Sequence, residues 1–324
     1  MDPLKVGVVG TGKMGTQHAR AYARSRLCEL IAVADAREET ARKAAAETGA
    51  RFFSSAEEMV DSCQLDAVSI CTNDEGHVDP ALTCLESGLN VLLEKPIATS
   101  LEDADRILVG ARKAGTKFMV GQIVRFEPRY ALVKKRVEEG ELGKLEAVHA
   151  RRLNHVGSQE VLGGRVSVLS FLGVHDFDYL LWLSESAPTR LYTESIERIH
   201  RSSGYGIEDH TFTLVRFEDG MIACVEVGWV LPDIHPRQAD FKLEVIGTGG
   251  MASVDLVSND IVMGTKDGWV IPRVGQMLDL EIEHFLTCIM DDSEPLVSGE
   301  EGKEALRICL AAQESARTGS IVKL

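Results

Sequence analysis

The stretch VVGTGKMGTQHA, residues 8–19, decides how the first third of the chain is read. It holds Gly10-x-Gly12-x-x-Gly15 directly after the β-branched run KVGVVG (5–10), and a helical pattern follows over 16–26. Three glycines at that spacing are, alone, only a tight turn. With a strand before and a helix behind, they form a dinucleotide fingerprint. Gly10 permits the turn, Gly12 lets backbone approach a pyrophosphate, and Gly15 lets the helix pack close to the sheet. The helix start offers unpaired N–H groups to phosphate, so Gly10, Thr11, Gly12, Lys13, Met14 and Gly15 are the candidate cradle. Asp35 closes the strand ELIAVAD (29–35), 20 residues after Gly15, where a carboxylate can accept from an adenosine ribose. Its charge repels a 2′-phosphate and favours NAD; Arg37 could reach such a phosphate, which leaves NADP possible.

Outward from this loop the pattern repeats. LDAVSICT (65–72), NVLLE (90–94) and KFMVG (117–121) read as further strands, with helices over 38–48, 78–87 and about 101–114. Ser55 with Glu58, and Thr99 with Glu102, have capping-box spacing, and Gly49 and Gly88 sit where helices stop. Repeated βα units with short links predict a parallel sheet covered on both faces. After residue 121 the pattern changes. A helix near 128–139, a strand near 145–153, a buried helix at GVHDFDYLLWL (173–183) and strands over 189–271 predict an α+β domain. Asp219-Gly220 marks a hairpin, Asp267-Gly268 another turn, and IGTGGMASV (246–254) reads as a strand-to-strand turn rather than a second phosphate site. Two helices end the chain. The expected division is a Rossmann domain over 1–121 and an α+β domain over 122–324, the helix at about 301–318 packing back on the first.

Bulk properties narrow the function classes. At 324 residues two domains are expected. The balance of 35 Lys+Arg against 50 Asp+Glu, net −15, argues against a nucleic-acid binder. No window has the apolar length of a membrane span, and MDPLKVGVVG lacks a signal-peptide layout. Seven scattered cysteines without C-x-x-C spacing suit reduced thiols in a cytoplasmic protein.

Two constellations carry chemistry. Glu94-Lys95-Pro96 ends the fifth strand of the parallel sheet, and ligands of open α/β sheets lie at the carboxyl ends of the strands. Pro96 biases Lys95 to an extended conformation, and a cis bond would fix its direction further. A lysine there can polarise oxygen or relay a proton; the plain alternative is a solvated charge. Thr72, Asn73 and His77 lie on the same rim. The second constellation is His175 with Asp178 or Tyr179 and Trp182 along one side of a helix. That histidine is either structural or an acid–base group, and no ligand set for a metal is found around it.

With GTGKMG, EKP at 94–96, GQIVRFEP at 121–128 and GVHDFD at 173–178, the chain resembles the Gfo/Idh/MocA family of glucose–fructose oxidoreductases and inositol dehydrogenases over essentially its whole length. The resemblance implies a Rossmann domain and an α+β domain with an open, mostly antiparallel sheet. It implies hydride transfer between NAD or NADP and a hydroxyl or carbonyl carbon of a sugar, cyclitol or related compound. It also implies homodimers or homotetramers formed through that sheet. Lys95 and His175 match the family's active-site lysine and histidine; Glu94 and Gln122 fall on the nicotinamide side; Arg125, Asn154, His155 and Asp176 are weaker candidates for substrate. In one place the chain departs from the pattern. Many polyol dehydrogenases of the family carry an aspartate four residues before the histidine, and here Phe171 stands there. Two other readings stay open: a non-catalytic dinucleotide or sugar sensor, and an enzyme that holds and recycles its NAD.

Overall fold

The structure, a computed structural model, describes residues 2–158, 162–184, 186–202, 204–232, 234–235, 239–255, 260–265, 268–269 and 276–324. Asp267 of the second turn expected from sequence lies outside these residues. The chain forms two compact units, Met1–Phe126 with Gln276–Leu306, and Glu127–Gly275 with Arg307–Leu324. The division thus falls at residue 126 rather than 121, and residues 276–306 join the first unit.

The first unit is built on strands β1 (Leu4–Val9), β2 (Cys28–Ala34), β3 (Arg51–Phe53), β4 (Ala67–Ile70), β5 (Asn90–Glu94) and β6 (Phe118–Gly121). They lie in the order β3-β2-β1-β4-β5-β6, all parallel. The order reverses between β1 and β4, and the carboxyl ends there open a ligand crevice. The strands read as continuous apolar runs because both faces are covered: Val6, Val8, Val33, Val68, Ile70, Val91, Leu92, Leu93 and Val120 are all fully buried. Helices α1 (Lys13–Arg24), α2 (Glu38–Thr48), α3 (Ala56–Ser62), α4 (Val78–Glu86) and α5 (Leu101–Ala114) connect them. Gly49 and Gly115 end α2 and α5 in the left-handed conformation, as helix stops require. Ser55 caps α3 through Glu58 N–H, but the Glu58 carboxylate reaches back to Ser54. Helix α5 is capped by Ser100, which accepts from Asp103 N–H, one residue beyond the expected Thr99.

The second unit carries a nine-stranded sheet. Its members are β7 (Leu145–His155), β8 (Pro188–Ile196), β9 (His210–Phe217), β10 (Ile222–Leu231), β11 (Ala239–Gly247), β12 (Met251–Asp255), β13 (Asp260–Thr265), β14 (Gly268–Trp269) and β15 (Val322–Lys323). The order is β14-β13-β12-β11-β7-β10-β9-β8-β15, and only β7 with β10 is parallel. The β9–β10 hairpin turns at Gly220, whose φ of 100° suits glycine alone. Residues 247–250 form the strand-to-strand turn between β11 and β12, closed by Gly247 N–H to Gly250 O. One face of the sheet packs on α6 (Pro128–Glu138) and α7 (Val174–Leu183). The other face leaves Phe212, Leu214, Ile222, Ile246 and Met251 exposed.

Candidate active site

The glycine loop crosses the carboxyl end of β1. Gly10 adopts φ +85°, and a Cβ there would meet Thr72 N at 2.5 Å. A Cβ on Gly15 would lie 1.7 Å from Gly10 O, so α1 can approach the turn only as glycine. Around Gly12 a Cβ would meet nothing within 4 Å, which leaves space beside the backbone where a ligand can lie. Gly12 caps α1 without a side chain, so no capping group claims the N–H groups of its first turn. These are the features a pyrophosphate needs.

Asp35 faces the same loop. One carboxylate oxygen accepts from Thr11 N–H at 2.7 Å and from the Thr11 hydroxyl at 3.0 Å; the other accepts from Arg37 N–H at 2.8 Å. Burial pushes the carboxyl up, but these hydrogen bonds outweigh it and hold Asp35 below its ordinary value. It is therefore an anion where a ribose would sit. The Arg37 side chain is mostly exposed, with Nε 3.8 Å from Asp35.

The rim continues at β4, β5 and β6. Thr72 donates to Gly76 O at 2.8 Å, bracing the turn that begins after Asn73. His77 is buried and lies 2.9 Å from Pro96 O through Nδ1. A carbonyl only accepts, so Nδ1 carries the proton, and Nε2 makes no close hydrogen bond among the described residues. Burial pushes His77 down and keeps it neutral. Glu94 ends β5, and the bond from Lys95 to Pro96 is cis. Burial pushes Glu94 up, yet His18, Lys95 and His77 together hold it below its ordinary value. Gln122, just past β6, is 1% exposed, and neither end of its amide has a hydrogen-bond partner among the described residues. Orphaned buried amides are rare in folded chains, and this one suits a ligand that both donates and accepts. The residues of the first unit thus fit NAD.

In the second unit, helix α7 follows a π-helical turn over Leu169–Gly173. Such turns are single-residue insertions often found at functional sites. Phe171 lies in this turn and packs on Trp229, ring centres 5.9 Å apart. His175 opens α7 and is half-buried. Further along, Tyr179 donates to Tyr130 O at 3.0 Å and meets Trp182 edge-on.

Several weaker candidates have other duties. Both oxygens of Asp176 accept from Arg152, at 2.8 and 2.9 Å, and the pair is buried. Arg125 is 1% exposed and donates to Leu296 O and Glu301. His155 Nδ1 accepts from Gly157 N–H, while Asn154 remains half-buried on β7. Sequence reasoning missed a buried polar group beneath Lys95, made of His18, Tyr22, Ser69 and Glu281. His18 does lie one helical turn after Gly15, which was the local signal available.

A parallel sheet in this order, with a glycine turn between β1 and α1, is the architecture of a dinucleotide-binding domain. Residues 4–122 match the family described as "Oxidoreductase family, NAD-binding Rossmann fold", and residues 130–253 match the "GFO/IDH/MocA C-terminal domain". The chain belongs to the Gfo/Idh/MocA family of NAD-dependent oxidoreductases acting on CH–OH groups. It is 24% identical to the myo-inositol 2-dehydrogenase of Thermotoga maritima, covering 99% of this chain and 98% of that one. It is 27% identical to the scyllo-inositol 2-dehydrogenase (NAD(+)) of Bacillus subtilis, covering 99% and 96%. Its fold matches that of scyllo-inositol dehydrogenase from Lactobacillus casei, solved with NAD(H) and scyllo-inositol, with a TM-score of 0.85, 22% identity and 99% coverage of both chains. Among the described residues no helix is long and apolar enough to cross a membrane.

Proposed function

We propose that this protein is an NAD-dependent dehydrogenase of a cyclitol or a closely related ring polyol, with Lys95 and His175 as its acid–base groups. The observation that carries the reading is the end of β5, where Lys95 follows a buried, anionic Glu94 on the rim that holds the glycine cradle and Asp35. The names of the curated relatives supply the substrate class.

Gly10 to Gly15 and Asp35 bind the dinucleotide, with Thr72, Asn73 and His77 along the β4 rim. Gln122 orients the nicotinamide end. NAD, when bound, supplies the hydride acceptor. Lys95 steadies the negative charge that develops on the substrate oxygen, and neutral His175 takes the hydroxyl proton. An imidazole suits this because its unperturbed pKa, about 6.5, lies near working pH. Both Asp176 oxygens accept from Arg152, so this reading gives Asp176 a structural role and no part in proton transfer. Asn154 and His155 remain the polar side chains proposed to orient substrate. The reading is tested by following NADH formation with myo-inositol, scyllo-inositol and a panel of sugars. Turnover of a cyclitol, lost on the order of 100- to 10,000-fold in Lys95→Ala, is expected; unchanged turnover in that variant would remove Lys95 from the site.

The protein is further proposed to assemble as a homodimer or homotetramer through the open face of the nine-stranded sheet. Support comes from the groove of about 450 Å³ on that face, flanked by Leu214, Ile222 and Ile246. These apolar side chains are each about half exposed or more, a pattern typical of interaction surfaces. Sedimentation of wild type and Leu214→Glu tests this, the variant being expected to run as a smaller species.

A further inference from the structure

We infer that a chain of buried donors, Tyr22 to Ser69 to His18, holds Glu94 as an anion directly behind Lys95, and that His18 is thereby a positioning residue for the lysine. The inference rests on the reading of Lys95 as catalytic.

All members lie in the first unit. Tyr22 and Ser69 come from α1 and β4, and their oxygens are 2.7 Å apart. Ser69 Oγ is 3.1 Å from His18 Nδ1, and His18 Nε2 is 3.0 Å from Glu94 Oε1. The other Glu94 oxygen accepts from Lys95 N–H at 3.2 Å. Tyr22, His18 and Ser69 are wholly buried and Glu94 is 6% exposed, so water does not substitute for a missing partner.

The direction of each bond follows from donor chemistry. An ionised carboxylate only accepts, so His18 must present Nε2–H to Glu94. The other ring nitrogen, Nδ1, then accepts from the Ser69 hydroxyl. Ser69 oxygen in turn takes the Tyr22 O–H. Burial pushes the Tyr22 phenol far up, so it remains a donor at every working pH. Each proton has one place, and every donor points towards Glu94. Both ring nitrogens of His18 are engaged, so the imidazole has no lone pair for a cation.

The surroundings favour charge on Glu94. Glu281, from the helix Met277–Asp291, is fully buried, and ligand atoms of His18, Glu94 and Glu281 lie within 4.8 Å of one another. Two buried carboxylates so close do not both ionise readily. The His18 ring and the Lys95 N–H both donate to Glu94, which favours charge there. The His18 hydrogen bond and the Lys95 charge hold it low, while burial, Glu94 and Glu281 push the Cys71 thiol well up. By reciprocity, an anion stabilised by the charge of Lys95 raises the proton affinity of Lys95. Deleting the Ser69 hydroxyl leaves the buried Nδ1 without its donor, so the ring is held from the Glu94 side only and Glu94 is less firmly fixed behind Lys95.

The test uses the full-length enzyme with Ser69→Ala and Tyr22→Phe, each lacking one hydroxyl away from the cofactor crevice. In Ser69→Ala the basic limb of the kcat/KM–pH profile is expected to move down by about half a unit or more. Its kcat should fall on the order of 10-fold, the scale of losing a supporting partner. Tyr22→Phe should do the same to a smaller degree, and NAD affinity should stay within about twofold in both. The 15N spectrum of histidine-labelled protein should show His18 as the Nε2–H tautomer in wild type, with the Nδ1 resonance displaced in Ser69→Ala by loss of the hydroxyl donor, whatever the activity. Variants that lose only thermal stability, with the Nδ1 resonance and pH profile unmoved, overturn the inference. If Lys95→Ala keeps its turnover and pH profile, the assignment of Lys95 fails, and the positioning role of His18 falls with it.

Discussion

Arg152 grips both oxygens of Asp176, at 2.8 and 2.9 Å, where neither side chain meets solvent. The guanidinium also lies over the Phe241 ring, 4.9 Å from its centre. A two-pronged, buried pair of this kind holds the start of α7, the helix that bears His175, against β7.

Arg152→Met would leave the Asp176 charge buried without its partner. The expected loss of folding stability is about 3–5 kcal/mol, read by urea denaturation. Arg152→Met with Asp176→Leu should recover much of it, because removing both charges ends the desolvation penalty. A single variant as stable as wild type would show that the pair contributes little.

The glycines of the β1 turn should separate folding from binding. Gly15→Ala places a Cβ 1.7 Å from Gly10 O, so the loop must move and the melting temperature should drop. Gly12→Ala meets no protein atom within 4 Å and should melt like wild type. Its methyl group occupies space next to the pyrophosphate, so NAD affinity should fall clearly. Titration calorimetry beside a melting curve checks both.

Asp35 is proposed to set dinucleotide choice. Loss of a charged hydrogen bond to the ribose, worth about 1.5–3 kcal/mol, should weaken NAD roughly 10- to 100-fold in Asp35→Ser. With the anion gone, exposed Arg37 becomes free to meet a 2′-phosphate, and the NADP-to-NAD ratio of kcat/KM should rise. An unchanged ratio would mean that the acid does not face the ribose.

Acid should unfold the protein through a few identifiable carboxylates. Burial pushes Asp35, Asp209, Glu226 and Glu301 up, but hydrogen bonds or arginine partners hold each below its ordinary value. Asp209 accepts from the backbone N–H groups of Arg198, Ile199 and His200 and from the His200 ring; Glu226 faces Arg151 and His210. Unfolded carboxylates titrate at about 4, so near and below that pH the unfolded chain binds more protons. The stability these groups contribute is therefore complete above about pH 5 and is lost as pH falls through the folded values. Melting curves between pH 6 and 3 should show this decline, and it should be shallower in Asp209→Asn.

Features written in a few consecutive residues were legible in the sequence. The glycine turn, the left-handed glycines at Gly49 and Gly88 and the β9–β10 hairpin each depend on local backbone chemistry. The cap of α5 was off by one because Thr99-x-x-Glu102 and Ser100-x-x-Asp103 overlap, and Ser100 takes the bond. Contacts between distant residues were not legible. Arg125 pairs with Glu301, Asp176 with Arg152, and Glu94 with His18, and no local pattern announces such partners. The candidate polar residues were found, but which of them already had a mate depends on tertiary packing.

Gln122 carries an amide whose two ends find no match among protein groups. An unmet buried donor or acceptor costs about 1–3 kcal/mol, so, with Gln122 meeting the dinucleotide as proposed, the empty chain would bear a penalty that binding relieves. The lifetime of the protein against proteolysis should then track the supply of cofactor, lengthening as NAD rises. Gln122→Leu, which has nothing to satisfy, should lose that dependence in part. Nutritional state would reach this enzyme twice, through how fast it works and through how long each copy survives.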